Sequence, residues 1–425
     1  MSPRRPGAGS RRRRRPARRG RSLEGERYVV RVGNVAHGGH FVARHEGLVV
    51  FVRHTLPGEK VVVQVTEGRE GDAFLRGDAV EVLEASPDRV APPCPFSGPG
   101  RCGGCDFQHV SLDAQRELKA FVVREQLQRL AGLDVEVEVE GVPFETLAPQ
   151  GTGEGLGWRT RMQYAVDDEG YAGLRKHRSH DVVRIDACPI AHPALPPVTS
   201  ERWHGAQSVE AIVSSSGQRL RVVTAGDGTY LDGPKVLRER AAGRDWQVTG
   251  SGFWQVHPGA AEALVTAVLD GVRPRPGERV ADLYAGVGLF SAPLAERIGP
   301  TGWLVAVEAD PVAAEDAARN LADLPHAEPV AARVDRALAS GAAGNRVDVV
   351  VLDPPRTGAR RPVVEGVAAL HPRVVGYVAC EPASLARDVA IFAEQGYRLS
   401  SLRAFDLFPM THHVECVAIL EPVSP

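Results

Sequence analysis

The chain has 425 residues and a mass of 45.6 kDa, enough for two or three domains. With 43% hydrophobic and 24% charged residues it can bury a large core, yet no apolar run reaches the ~18 residues of a membrane span. The formal charge of −2 hides an asymmetry: residues 1–22 carry ten arginines and no acid, leaving 41 basic against 53 acidic residues in the rest.

The start has no apolar stretch behind its charges, so a signal peptide is not expected. Too polar to bury apolar surface, residues 1–22 are expected to be a disordered arm drawn to phosphate backbones, or else a solubilising extension. Residues 23–86 read as a small β-barrel. Short β-branched runs at 28–32, 47–52, 60–66 and 74–82 are separated by turns with Gly, Pro, His and Arg, among them Arg44, His45, Arg53 and His54. A Cys/Gly/Pro-rich loop at 92–109 precedes a helical pattern at 112–130. Strand signals at 158–166, 219–223 and around Tyr230, without regular alternation with helices, predict an antiparallel α+β middle domain over 87–245.

Residues 246–425 alternate as a parallel sheet requires. Helices are expected at 260–269, 289–298, 311–321, 363–370 and 384–395, with strands at 279–283, 303–307, 347–352 and 374–378. The fold class is therefore multidomain α/β: a β-barrel, a mixed middle domain and a C-terminal doubly wound, Rossmann-like domain. Its ligand belongs at the C-terminal ends of the strands.

Four motifs fall there. Asp282-Leu-Tyr-Ala-Gly-Val-Gly-Leu-Phe290 is a strand-to-helix turn in which Gly286 and Gly288 allow close backbone approach. The next strand ends in Glu308, a carboxylate placed to take the two hydroxyls of a ribose. Ser291 stands where a dinucleotide fingerprint has its third Gly, which favours S-adenosylmethionine over NAD. The second motif, Asp353-Pro-Pro-Arg356, sets a carboxylate and a rigid rim on the same edge. The third, Cys380-Glu-Pro-Ala-Ser-Leu-Ala-Arg-Asp388, delivers a Cys just before a helix start, where a thiolate is favoured. The fourth, Phe408-Pro-Met-Thr-His-His-Val-Glu415, offers Glu415 as a base for that nucleophile. Separately, Cys94, Cys102, Cys105 and the distant Cys188 have a spacing that suits zinc or iron–sulfur alike, while Cys416 is expected to pack in the core.

Taken together the motifs resemble the RNA uracil-5 methyltransferase family, over nearly the whole chain after the Arg tail. The resemblance implies that the barrel is an RNA-binding TRAM domain. It implies Gln255, Tyr284, Glu308 and Asp353 for S-adenosylmethionine, Cys380 as nucleophile and Glu415 as general base. It further implies a 4Fe–4S cluster on Cys94, Cys102, Cys105 and Cys188, with zinc as the alternative. Ala285 and Leu289 depart from residues common in the family, but neither side chain is needed for the chemistry. RNA is the expected partner, ribosomal more than transfer RNA, in a cytoplasmic enzyme without membrane contact and with a monomer favoured. A methyltransferase for exocyclic amines is the rival enzyme; an RNA-binding or ribosome-assembly factor with a vestigial site is the rival of another class.

Overall fold

The computed structural model describes residues 20–144, 154–250 and 252–423. The tail expected at 1–22 lies almost wholly outside the described residues. Arg21, at its end, pairs with Glu26 at 2.6 Å and Glu70 at 3.0 Å.

Five strands close a barrel: β1 (Arg27–Ala36), β2 (His40–His45), β3 (Leu48–Arg53), β4 (Lys60–Glu67) and β5 (Phe74–Glu84), in the order β1-β2-β3-β5-β4. Alternation drives it. In β4, Val61, Val63 and Val65 point inward and are buried, while Lys60, Val62 and Gln64 between them are half-exposed. The strand β2 was expected as a turn. Its inward residues, Phe41 and Ala43, are buried in the barrel core, and the flanking His and Gly obscure that alternation.

The Cys-rich loop leads into α1 (Leu112–Ala131) and the short strand β6 (Val139–Gly141). Next comes an antiparallel sheet of β7 (Arg161–Val166), β8 (Ala172–Arg175), β9 (Val182–Arg184), β10 (Ala206–Val213), β11 (Arg219–Ala225) and β12 (Gly228–Asp232), as expected for the middle domain. A hairpin of β13 (Val236–Ala241) and β14 (Arg244–Thr249) follows.

The C-terminal part runs α2 (Ala260–Val272), β15 (Arg279–Leu283), α3 (Ser291–Ile298), β16 (Trp303–Glu308), α4 (Pro311–Asn320), β17 (Ala327–Ala331), α5 (Val334–Ser340), β18 (Val349–Leu352), α6 (Arg360–Ala369), β19 (Val374–Ala379), α7 (Pro382–Glu394), β20 (Tyr397–Asp406) and β21 (Glu415–Pro422). The sheet order is β17-β16-β15-β18-β19-β21-β20-β6. From β17 to β19 the pairs are parallel, and the strand order reverses between β15 and β18, where a crevice for a ligand opens.

The segment expected as one middle domain over 87–245 is divided. Ala120, Val123 and Leu127 of α1 and Val139 of β6 belong to the core of the C-terminal sheet, and β6 adds to its edge beside β20. The antiparallel sheet is thus inserted between two parts of one α/β body. Among the described residues no helix is long and apolar enough to cross a membrane.

Candidate active site

Strand register assembles the site. In the parallel pairs Leu283 stands opposite Val307 and Leu352, so the residues that follow, Tyr284, Glu308 and Asp353, share one row at the C-terminal edge. The chain then turns sharply: Tyr284, Gly286 and Gly288 have φ of 65°, 55° and 91°. Glycine tolerates this region; a tyrosine there is strained, as residues at ligand sites often are. The turn aims Gly286 N at Glu308 Oε2 (2.9 Å), while Asp310 N donates to Oε1 (2.7 Å). Each oxygen keeps a lone pair for a further donor.

Beneath the turn lies Asp282, fully buried. Ser291 donates its hydroxyl to Asp282 Oδ2, and Oδ1 has no partner. Burial, then the charge of Glu308, pushes this carboxyl up to about 7. Sequence reasoning treated Asp282 only as the start of a motif and Ser291 as a missing glycine; the two form a buried pair that supports the turn.

The second and third motifs are locked together. Asp388 Oδ2 accepts from Ala359 N (2.7 Å) and the Tyr377 hydroxyl (2.6 Å), and Ser384 Oγ donates to Arg356 O (2.6 Å). A Cβ at Gly358 would come within 2.5 Å of Asp388 Oδ2. Helix α7 therefore holds the Asp-Pro-Pro-Arg loop in shape. The same loop leaves Asp353 half-buried, with burial and the neighbouring Asp282 pushing its carboxyl up to about 7.

Cys380 and Glu415 meet because β19 and β21 are antiparallel with Ala379 opposite Cys416. One residue further on each strand, past that last pair, come Cys380 and Glu415, close enough for the carboxyl to act on the thiol. Glu415 is 5% exposed and Cys380 half-buried. Burial and Asp353 hold the Glu415 carboxyl well above the usual range, against the Arg356 guanidinium. Burial, then Glu415 and Asp353, push the Cys380 thiol up to about 12, again against Arg356. This differs from the thiolate expected at a helix start: two nearby carboxyls and desolvation favour the neutral thiol. Cys416 is buried in the core, as expected.

The barrel covers this pair. His37, in the turn between β1 and β2, pairs with Glu381, and the Cα of Gly39 lies so close to His412 that a Cβ would come within 2.7 Å of its ring-bearing carbon. Cys380, Glu381, His37, Gly39, His412 and His413 line one small cavity. From the other side Asp106 Oδ2 accepts from His412, and the Asp106 and Phe107 amides donate to Met410 O at 3.0 and 2.9 Å.

Cys94, Cys102, Cys105 and Cys188 line a single cavity of about 620 Å³. The Gly104 amide points to Cys102 Sγ and the Gln108 amide to Cys105 Sγ, both at 3.4 Å. Burial, and to a lesser degree neighbouring thiols, raise Cys105 and also Cys188, the latter to about 11. Among the described residues no three His, Cys, Asp or Glu gather at the spacing of a bound ion. Gln255 is buried just ahead of α2 and shares no hydrogen bond with the other expected site residues among the described residues. Two residues before it, Phe253 is 67% exposed, an aromatic face that sequence reasoning passed over.

The TRAM domain model matches residues 21–80, and the tRNA (Uracil-5-)-methyltransferase model matches residues 342–423. An uncharacterized RNA methyltransferase of Streptomyces avermitilis is 48% identical over 94% of this chain and 99% of its own. The 23S rRNA (uracil(1939)-C(5))-methyltransferase RlmD of Shewanella amazonensis is 32% identical over 94% of this chain and 96% of its own. The chain belongs to the RNA uracil-5 methyltransferase family. Its fold agrees with that of a solved member, the Pyrococcus abyssi tRNA (uracil-54, C5)-methyltransferase in complex with S-adenosyl-L-homocysteine, at a TM-score of 0.67 and 24% identity over 93% of this chain and 99% of the other. The barrel of this methyltransferase is thus its TRAM domain, and the crevice between β15 and β18 lies in its methyltransferase domain.

Proposed function

We propose that the protein methylates carbon 5 of a uridine in ribosomal RNA through a covalent Cys380–uracil intermediate. The observation that carries this reading is the closeness of Cys380 and Glu415, one residue beyond the last antiparallel pair, beside the row of Tyr284, Glu308 and Asp353. The likeness to RlmD along nearly the whole of both chains supports ribosomal over transfer RNA.

The residues suit S-adenosylmethionine. Glu308 has free lone pairs for the ribose, Tyr284 and Asp353 border the crevice, and Gln255 is assigned to the same ligand. When bound, the cofactor supplies an electrophilic methyl group on a sulfonium. Carbon 5 of uracil is a poor nucleophile until Cys380 adds to carbon 6, which turns the ring into an enolate. Carbon 5 then takes the methyl group, Glu415 removes the hydrogen left on carbon 5, and the thiolate departs by β-elimination. The target base must leave its stack to reach the thiol, and the exposed ring of Phe253 offers it a stacking face.

Burial and the neighbouring carboxyls hold Cys380, Glu415 and Asp353 above their usual values. A sulfonium beside Asp353 would lower the pKa of all three groups. For the cysteine cavity, four thiols that share one wall suit a cluster, with zinc as the alternative. Cys94, Cys102, Cys105 and Cys188 would hold it, with N–H groups already aimed at two sulfurs.

The test is a ribosomal RNA fragment carrying 5-fluorouridine, incubated with S-adenosylmethionine. Fluorine cannot leave as a proton does, so the adduct on Cys380 is trapped and survives denaturing electrophoresis. Absence of a trapped species, with 5-methyluridine still formed on ordinary RNA, would remove the covalent mechanism.

A further inference from the structure

Two polar residues of α1, Gln115 and Lys119, are buried near the apolar Ala120 and Val123. Four residues apart, they lie one above the other on the helix. Both direct hydrogen bonds at a single distant segment. Lys119 Nζ donates to Asp406 Oδ1 at 2.5 Å and to the Phe408 carbonyl at 3.1 Å. Gln115 Oε1 accepts from Met410 N at 2.7 Å, while its amide donates to the carbonyls of Phe107 and Val110 at 3.2 and 2.9 Å.

That segment leads to Glu415. Asp406 ends β20, Glu415 begins β21, and the preceding residue Phe405 pairs with Glu415 across the two strands. Residues 407–414 connect them with no helix or strand of their own. Lys119 therefore holds two points at once: the residue next to the strand partner of Glu415, and the start of the connection that returns to it. Lys119 also lines the small cavity under the barrel, together with Cys380, His413 and Val414.

A buried ion pair is a weak source of stability, because desolvation offsets the attraction and an apolar pair of similar volume often does as well. Burial lowers Lys119, against the charge of Asp406. What the pair adds over apolar packing is direction: hydrogen bonds fix a distance and an angle, and hydrophobic contact does not.

On the covalent reading of the site, we propose that Lys119 is a positioning residue: through Asp406 and the Phe408 carbonyl it sets where the Glu415 carboxyl stands over carbon 5 of the uracil held on Cys380. In the step concerned Glu415 takes the proton from carbon 5. The C–H electron pair becomes the double bond between carbons 5 and 6, and the bond from carbon 6 to sulfur breaks with its electrons leaving on Cys380 as thiolate. Thiol addition and methyl transfer come earlier and do not use this base. A carboxyl displaced by about an ångström therefore slows release and spares the steps before it.

The experiment uses the full chain and two variants. Lys119→Met leaves Asp406 buried and unpaired. The double variant Lys119→Met, Asp406→Leu removes both charges, so that neither is stranded. The readout is the fraction of enzyme caught as methylated RNA–protein adduct on denaturing gels, during turnover of ordinary uridine RNA with methyl-labelled S-adenosylmethionine. Both variants should show kcat lower by ~10–100-fold, KM for both substrates near wild type, and an adduct fraction several times that of the wild type. The double variant should do so while melting near the wild-type temperature. Wild-type kcat in a double variant that melts normally would make the pair structural only and overturn the proposal. So would a lower kcat with an unchanged adduct fraction, since general loosening slows addition and release alike. If Lys119→Met does not fold, the double variant decides. RNA carrying 5-fluorouridine runs in parallel on the wild type. No trapped species there, with ordinary RNA still methylated, means that the covalent reading has failed and this proposal with it. A trapped species with the adduct fraction unchanged in the variants means that this proposal alone has failed.

Discussion

Asp106 Oδ2 receives two hydrogen bonds from His412, one from the ring at 2.6 Å and one from the backbone at 3.2 Å. Asp106 follows Cys105, and His412 lies three residues before Glu415. The cysteine loop therefore grips the segment that delivers the base. Asp106→Ala should lower kcat about tenfold or more while S-adenosylmethionine affinity, read by calorimetry, stays near wild type, since lost hydrogen bonds to a charged acceptor cost ~1.5–3 kcal/mol. Asp106→Asn, which keeps one acceptor oxygen, should recover part of the rate. Unchanged kcat in the alanine variant would uncouple the loop from catalysis.

Glu415→Gln keeps the shape of the carboxyl but cannot take the proton from carbon 5. Addition by Cys380 and methylation proceed, and release stops. Turnover should fall by ~10²–10⁴, and a methylated RNA–protein adduct should accumulate on denaturing gels. It should vanish in the Cys380→Ala, Glu415→Gln double variant. Wild-type turnover in Glu415→Gln would shift the role to His412 or His413.

The free thiol of Cys380, pushed up to about 12, should alkylate slowly at pH 8, with a rate that climbs with pH and shows no plateau below pH 10. Saturating S-adenosylmethionine, without RNA, should speed alkylation of the Cys380 peptide at pH 8; S-adenosylhomocysteine, which lacks the sulfonium charge, should not. Mass spectrometry of the modified peptide reads both. A plateau below pH 8 in the ligand-free enzyme would show that the thiolate is already favoured.

The motifs that ended in reactive side chains were legible because strand, turn and helix signals adjoin them in sequence. Cys380, Glu415, Glu308 and Asp353 all sit at strand ends that periodicity alone locates within a few residues. What escaped was pairing over distance. Nothing near Val139 announces that it joins a sheet beside Ala404, and nothing near Arg53 announces that its buried guanidinium lies 3.7 Å from Asp106. The strand His40–His45 was missed for a local reason: His and Gly at its start read as a turn, and only the closed barrel reveals that Phe41 and Ala43 point inward.

Asp282 has a folded pKa of about 7, raised by burial, against ~3.9 for a free aspartate. The native state then holds a proton that the unfolded chain has released, so between pH 4 and 7 stability falls as pH rises. Asp282→Asn should stabilise the cofactor-free protein at pH 8 by on the order of 1–3 kcal/mol, read as a higher melting temperature. The gain should shrink toward zero near pH 4. Equal melting curves at pH 8 would mean that burial does not raise this carboxyl.

Protein purified without oxygen should be brown and carry about four irons per chain, as a four-thiolate cluster requires. Cys188→Ser should bleach it and, through the Asp106 linkage, reduce turnover. Colourless protein with one zinc would identify the other metal.

Glu140 of the edge strand β6 pairs with Arg403 at 2.8 Å, across 263 residues of chain. On a ribosome adding ~5–20 residues per second, that partner emerges on the order of 10–50 s later. Throughout that wait β6 has no neighbour at the sheet edge and α1 lacks α7, the helix it packs against, while the barrel ahead of it can already close. Truncation before residue 397 leaves β6 without β20 beside it, so premature termination should yield an aggregating species, read by light scattering, instead of a working fragment.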